Sequence, residues 1–393
     1  MAVAAVAARA ATTPVSASRI SSLDIVRGAV MVLMAIDHVR VYSGVPPGGP
    51  SAGIFFTRWI THFCAPAFVF LAGTAAYLQA RKLGDTRALA KYLITRGLLL
   101  VVLELTLIRA SWTFGADYSQ FILAGVIWML GWCMILLAGL VWLPTTVVAA
   151  FGLALILVQS VFTPIGSALP GSLQPIWEFI YPVGAEVRLG RNGPTVAVLY
   201  TIVPWIGVMA AGYAFGGVMT REPAERRRLC LRIGLFATAL FLLLAGLQVF
   251  LRPAPEDAPP ALIRLLNQTK YPASQLFLLM TLGPTIVVIA LAERARGWLA
   301  DVLATFGRVP MFYYLLHIPL IHATALIVWI MRDGTAHAER FATAPYVSIP
   351  PGDRWSLALL YLVFVLVVAV LYPLCRWYGR VKATSPAGWM RYV

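Results

Sequence analysis

Two apolar stretches near the start of the chain hold an unusual number of ionisable side chains. Residues 22–39 read SLDIVRGAVMVLMAIDHV and residues 55–79 read FFTRWITHFCAPAFVFLAGTAAYLQ, so Asp24, Arg27, Asp37, His38, Arg58 and His62 all sit in or beside them. Such groups are costly in hydrocarbon and normally line a polar cavity or a site. An imidazole such as His38 can take a proton from an attacking amine or hydroxyl, or be acylated itself. Asp37 beside it is a carboxylate that can hold another polar group in place. Arg58 and His62 are four residues apart and share a helix face, which puts His62 at the level of His38. The candidate catalytic set is therefore His38, Asp37 and His62.

A later segment, FGRVPMFYYLLHIPLIH at 306–322, adds a second polar cluster. Tyr313 and His317 fall on one face, and Pro319 distorts the helix near His322. With Arg58, they are the candidate substrate contacts. Glu104 lies mid-way along a third apolar run with Arg109 beyond it, a pattern that reads as a structural ion pair with another helix. Asp24 and Arg27, three apart, read as an anchoring pair, with a donor phosphate as the second use of Arg27. His337 falls in a loop and reads as solvated. Gly-rich phosphate loops, HExxH and GxSxG are absent from the sequence, which removes local support for hydrolytic or nucleoside-triphosphate chemistry.

The elements that carry these residues belong to a membrane. Of 393 residues, 60% are hydrophobic and 12% charged, and the mean hydropathy is +0.81; a soluble chain carries about 25% charged residues. At about 20 apolar residues per crossing, the fold class is all-α with about ten transmembrane helices. They are expected near 25–43, 59–80, 92–111, 120–142, 145–163, 195–219, 231–251, 273–292, 303–331 and 355–377. The ninth contains Pro310 and Pro319, which predict a kink or a split. Residues 1–20 read as a flexible tail, 21–380 as one transmembrane domain and 381–393 as a short tail. The 164–194 segment is expected to fold back over the outer mouth of a cavity.

The formal charge of +15 sits in short loops, with Arg81, Lys82, Arg87, Lys91 and Arg96 in one and Arg221, Arg226, Arg227, Arg228 and Arg232 in another. That is the positive-inside pattern, with both termini cytoplasmic, and not a nucleic-acid surface. Cys64, Cys133, Cys230 and Cys375 have no paired spacing and form neither a zinc motif nor a disulfide framework. No metal site is expected.

The two early stretches, with SLDIVRG, DHVR and FFTRWITHFCAPAFVFLAG, together with FGRVPMFYYLLHIPLIH, resemble the catalytic-domain family of heparan-alpha-glucosaminide N-acetyltransferase. Asp24, Arg27 and Gly28 match the family's first-helix signature, and Pro66, Phe68, Phe70 and Gly73 its second-helix pattern. His38 falls where the lysosomal member has an asparagine implicated in its site. The catalytic histidine proposed for that member lies in the loop after the first helix. Residues 44–58 here contain no histidine, so His38 or His62 takes the role, or the chemistry differs.

The resemblance implies a membrane acyltransferase of the bacterial inner membrane that moves an acetyl group from cytosolic acetyl-CoA to a sugar on the far side. Arg27 and Arg96 would meet the donor's phosphates, and His38 would act as base or acyl carrier. The implied partners are membrane lipids and a sugar or glycolipid acceptor, with no nucleic acid, and a homodimer is compatible with the chain. A transporter using the same charges as a proton relay is the alternative. A b-type haem protein with His38, His62, His317 or His322 as axial ligands ranks last.

Overall fold

The computed structural model describes residues 20–48, 51–181, 185–252 and 254–385. The expected N-terminal tail lies outside the described residues apart from Ile20, as does the chain after Ser385. The last helix, Leu357–Thr384, continues past the expected end at 377. About 74% of the structure is helical.

A helix occupies each of the ten expected segments, but they are not equal. Among the described residues six helices are long and apolar enough to cross a membrane: Ala52–Leu83, Thr145–Phe162, Pro223–Leu251, Gln275–Ala292, Pro310–Asp333 and Leu357–Thr384. Val126–Leu140 and Trp205–Met219 are apolar but short, at 15 residues each, or about 22 Å at 1.5 Å per residue. The first helix, Ser21–Ser43, carries Asp24, Arg27, Asp37, His38 and Arg40. The protein is a helical membrane protein.

That first helix is the central post. It packs against Trp298–Arg308, Pro310–Asp333, Gln275–Ala292, Leu357–Thr384 and Cys64–Leu83. An apolar helix surrounded on all sides has no solvent face, and Val26, Met31, Ala35, Val39 and Tyr42 are buried. Close crossing depends on small residues. A Cβ on Gly28 would stand 1.8 Å from the Leu303 carbonyl oxygen, and one on Gly307 would stand 1.8 Å from that of Asp24. The Gly73 seam works in the same way: a Cβ there would meet the Met209 carbonyl oxygen at 2.0 Å.

The expected long ninth helix is split. Trp298–Arg308 ends at Val309, and Pro310 occupies the first position of Pro310–Asp333, where its missing N–H costs nothing. Pro319 lies inside that helix without ending it.

The all-α expectation also missed a three-stranded sheet. Thr195–Val198 pairs in parallel with Phe121–Ala124 and antiparallel with Ala185–Arg188. Four-residue strands are too short to carry a period that separates them from helix ends or loops.

Candidate active site

Two cavities open among the helices. The first, about 300 Å³, is lined by Arg27, Arg96, Arg308 and Lys382, with Gln79, Tyr92 and apolar residues of several helices. Arg27 donates to the Gly307 carbonyl at 3.0 Å and to Asp24 at 3.3 Å. Arg96 donates to the Tyr92 hydroxyl at 2.8 Å. Neither Arg96 nor Arg308 has a carboxylate partner among the described residues. Both expected donor contacts, Arg27 and Arg96, therefore stand on one wall system.

The second cavity, about 550 Å³, is lined by Asp37, His38, Arg40, Arg58, Glu104 and Arg354, with Trp112, Tyr200, Tyr271 and Tyr346 among the aromatic walls. Val126 and Tyr314 line both cavities. The two cavities thus share part of their lining. Among the described residues, segment 164–194 contributes no residue to the lining of either cavity, whereas residues 44–47 and 345–349 line the second.

His38 is held by a partner far away in sequence. Its Nδ1 lies 2.6 Å from Nε2 of His317, with the rings stacked at 4.8 Å. His317 Nδ1 in turn faces the carbonyl oxygens of Tyr314 at 2.7 Å and Tyr313 at 3.2 Å. Carbonyls only accept, so His317 Nδ1 carries the hydrogen. With His317 neutral, its Nε2 offers a lone pair and His38 Nδ1 donates to it. The chain of bonds leaves the lone pair of His38 on Nε2, the nitrogen that makes no hydrogen bond within the described protein. Orientation by the far nitrogen is how histidine tautomers are set. Trp112 meets the His38 ring edge-on at 4.8 Å.

Asp37 does not orient His38. Its Oδ1 accepts from Arg40 Nε at 2.9 Å and from Arg58 Nη1 at 3.2 Å. The polar groups it holds in place are therefore these two guanidiniums, since neighbours in a helix point about 100° apart and Asp37 faces away from the His38 ring.

His62 does not line the cavity. The helix Ala52–Trp59 passes into a 3₁₀ turn, Ile60–Phe63. Each 3₁₀ step turns about 120° instead of about 100°, which carries His62 off the face of Arg58. Its Nδ1 lies 3.2 Å from the Trp59 carbonyl oxygen, and its ring meets Phe277 edge-on.

Tyr313 is also displaced from its expected role. It is fully buried between Phe306 and His317 and its hydroxyl has no partner among the described residues, while Tyr314 faces both cavities. His317 is a neighbour of His38 and not a wall residue of either cavity.

Glu104 makes no ion pair among the described residues. It opens a wide π-type turn, Glu104–Ile108, and its Oε2 accepts from the backbone N–H groups of Ile127 at 2.8 Å and Trp128 at 3.2 Å. It satisfies the orphan donors at the start of Val126–Leu140, where a helix favours an anion. Arg109 instead donates to the carbonyls of Phe121, Gly115 and Asp117. Glu104→Ala strands two buried donors and is expected to cost about 1–3 kcal/mol. Glu104→Gln, which keeps an acceptor, should lose less. Thermal unfolding in detergent compares the two.

His337 is less solvated than expected: it contacts Asp333, Glu339 and the edge of Trp329. The Asp333 hydrogen bond raises its pKa above the ordinary histidine value.

These features define a helical membrane protein with a buried, two-chambered polar site. The family model described as heparan-alpha-glucosaminide N-acetyltransferase, catalytic, matches residues 19–246. That is more than half of the 393 residues, and the chain belongs to this family of membrane acetyltransferases. The match contains Arg27, Asp37, His38 and Arg58 but ends before Tyr314 and His317. No curated protein matches the chain.

Proposed function

We propose that this protein transfers an acetyl group from cytosolic acetyl-CoA to an amine or hydroxyl of a sugar or glycolipid on the periplasmic side of a bacterial inner membrane. The observation that carries the reading is the pair of cavities with a shared wall at Tyr314 and Val126. Arg27, Arg96, Arg308 and Lys382 suit the donor's phosphates, since guanidinium groups grip such anions in paired bonds. The thioester would reach past Tyr314 toward His38. His38 Nε2, aimed by His317, takes the proton of the acceptor as its nitrogen or oxygen bonds the acetyl carbon. The carbon–sulfur bond breaks, and the proton leaves with the CoA thiolate as the free thiol. Transient acetylation of Nε2 is the second route through the same nitrogen. The positive-inside pattern supports a cytoplasmic arginine cavity and cytoplasmic termini.

The test is incubation of the purified protein with radiolabelled acetyl-CoA and candidate amino sugars. Labelled acceptor is the expected product. Solute flux in liposomes without acetyl-CoA turnover would instead identify a transporter.

Arg96→Gln and Arg308→Gln should each raise the KM for acetyl-CoA by about tenfold, the loss of one charge-assisted bond. The kcat should change little, because neither side chain lines the histidine cavity. An unchanged KM in both variants places the donor elsewhere.

A further inference from the structure

The surroundings of His38 hold a charge imbalance. Two guanidiniums, Arg40 and Arg58, share the single carboxylate of Asp37, and their side chains are only 9%, 14% and 18% exposed for Arg40, Arg58 and Asp37. The trio therefore keeps a net positive charge with little water around it. Arg354, an exposed residue in the connection between Pro351–Asp353 and Leu357–Thr384, lines the mouth of the same cavity and has no carboxylate partner among the described residues. Lys270, 7% exposed, lies over the rings of Tyr200 at 5.7 Å and Tyr271 at 5.1 Å, two walls of the cavity. It too has no carboxylate partner among the described residues. The other carboxylate of the lining, Glu104, is turned to the helix N–H groups.

Uncompensated positive charge is costly where it is largely withdrawn from water, as at Arg40, Arg58 and Lys270, and an entering anion offsets it. Guanidinium forks fit the geometry of phosphate oxygens. The flat rings of Trp112, Tyr200, Tyr271 and Tyr346 provide apolar faces beside these cations, the mixture that a polar ligand with hydrocarbon faces requires. The arginine cavity answers the donor's phosphates, so this second set of cations calls for an anion of its own.

We infer that the acceptor is a phosphorylated sugar, its phosphate held by Arg58 and Arg354 while its amine or hydroxyl faces His38. The inference rests on the acetyl-transfer reading and names the class of its acceptor. A free sugar phosphate and the phosphate-linked headgroup of a lipid sugar share this chemistry.

The test separates binding from turnover. Binding of glucosamine, glucosamine 6-phosphate and polyprenyl-phosphate-linked glucosamine to the full chain in detergent is measured without acetyl-CoA. At least one phosphorylated form should bind tenfold or more tightly than glucosamine, and whichever is preferred identifies the source. Arg354→Gln should reduce that preference about tenfold. Arg58→Lys, which keeps the charge next to Asp37 but loses the fork, should reduce it less. Equal binding of neutral and phosphorylated sugars overturns the inference, as does failure of all three to bind. A phosphate preference unchanged in both variants overturns it as well. Phosphate-selective binding with no acetyl transfer would sustain the anion site and sink the transferase reading. Transfer to neutral and phosphorylated sugars alike would do the reverse.

Discussion

His38→Ala is expected to lose acetyl transfer by about 10²–10⁴-fold, the usual contribution of a positioned base, while the protein still inserts and folds. The side chain is half-buried on a cavity wall and its one hydrogen bond goes to His317, so its removal strands the buried Nε2 of His317 at a cost of about 1–3 kcal/mol, less than a fold of this size needs to unfold. Labelled-acetyl transfer at saturating donor and acceptor reads the loss, and size-exclusion behaviour reads the fold. Full activity in the variant would remove His38 from the mechanism. His317 supplies the complementary measurement. It acts through His38 as a positioning residue, so His317→Ala should lower kcat more than KM. His317→Gln, whose amide oxygen accepts from His38 Nδ1, should recover part of the rate.

Gly307→Ala and Gly28→Ala are expected to damage the fold itself. Each added methyl would lie 1.8 Å from a carbonyl oxygen on the opposite helix, where contacts shorter than 3.0 Å are not tolerated. Both obstacles are backbone, so no rotamer change relieves them. Overpacking costs about 1–3 kcal/mol when neighbours can shift, and here the helices themselves must part. Arg27 donates to the Gly307 carbonyl, so parting them also moves a wall of the arginine cavity. The expected results are a lower unfolding temperature in detergent and weaker acetyl-CoA binding. Wild-type melting in both variants would show that the two helices do not cross as described. Gly139→Ala provides the control, since a Cβ there meets nothing within 4 Å.

How much of this was legible beforehand differs from residue to residue. Arg27 and Arg96 line one cavity, because a cation on an apolar helix has few polar places to go. His38 and Arg58 line the other. Tyr313 and Tyr314 could not be told apart, since adjacent residues differ only by about 100° of rotation and the neighbouring helices decide which side is hollow. His62 was misplaced by a local change from α to 3₁₀ winding that no spacing rule reveals. Glu104 was paired with the wrong kind of partner: a backbone terminus attracts a carboxylate as an arginine does, yet carries no letter in the sequence.

The sequence by itself determined that this is a helical membrane protein with buried ionisable groups, because apolar content and length dictate where backbone can lie in a bilayer. It also pointed to the family, through motifs confined to single helices. Only the tertiary structure decided that His317, 279 residues from His38, sets the tautomer of that ring. The same is true of the two arginines on Asp37 and the two chambers that meet at Tyr314. Such pairings depend on which helices touch and at what rotation, and those quantities come from side-chain packing across the whole bundle, not from any local run of residues.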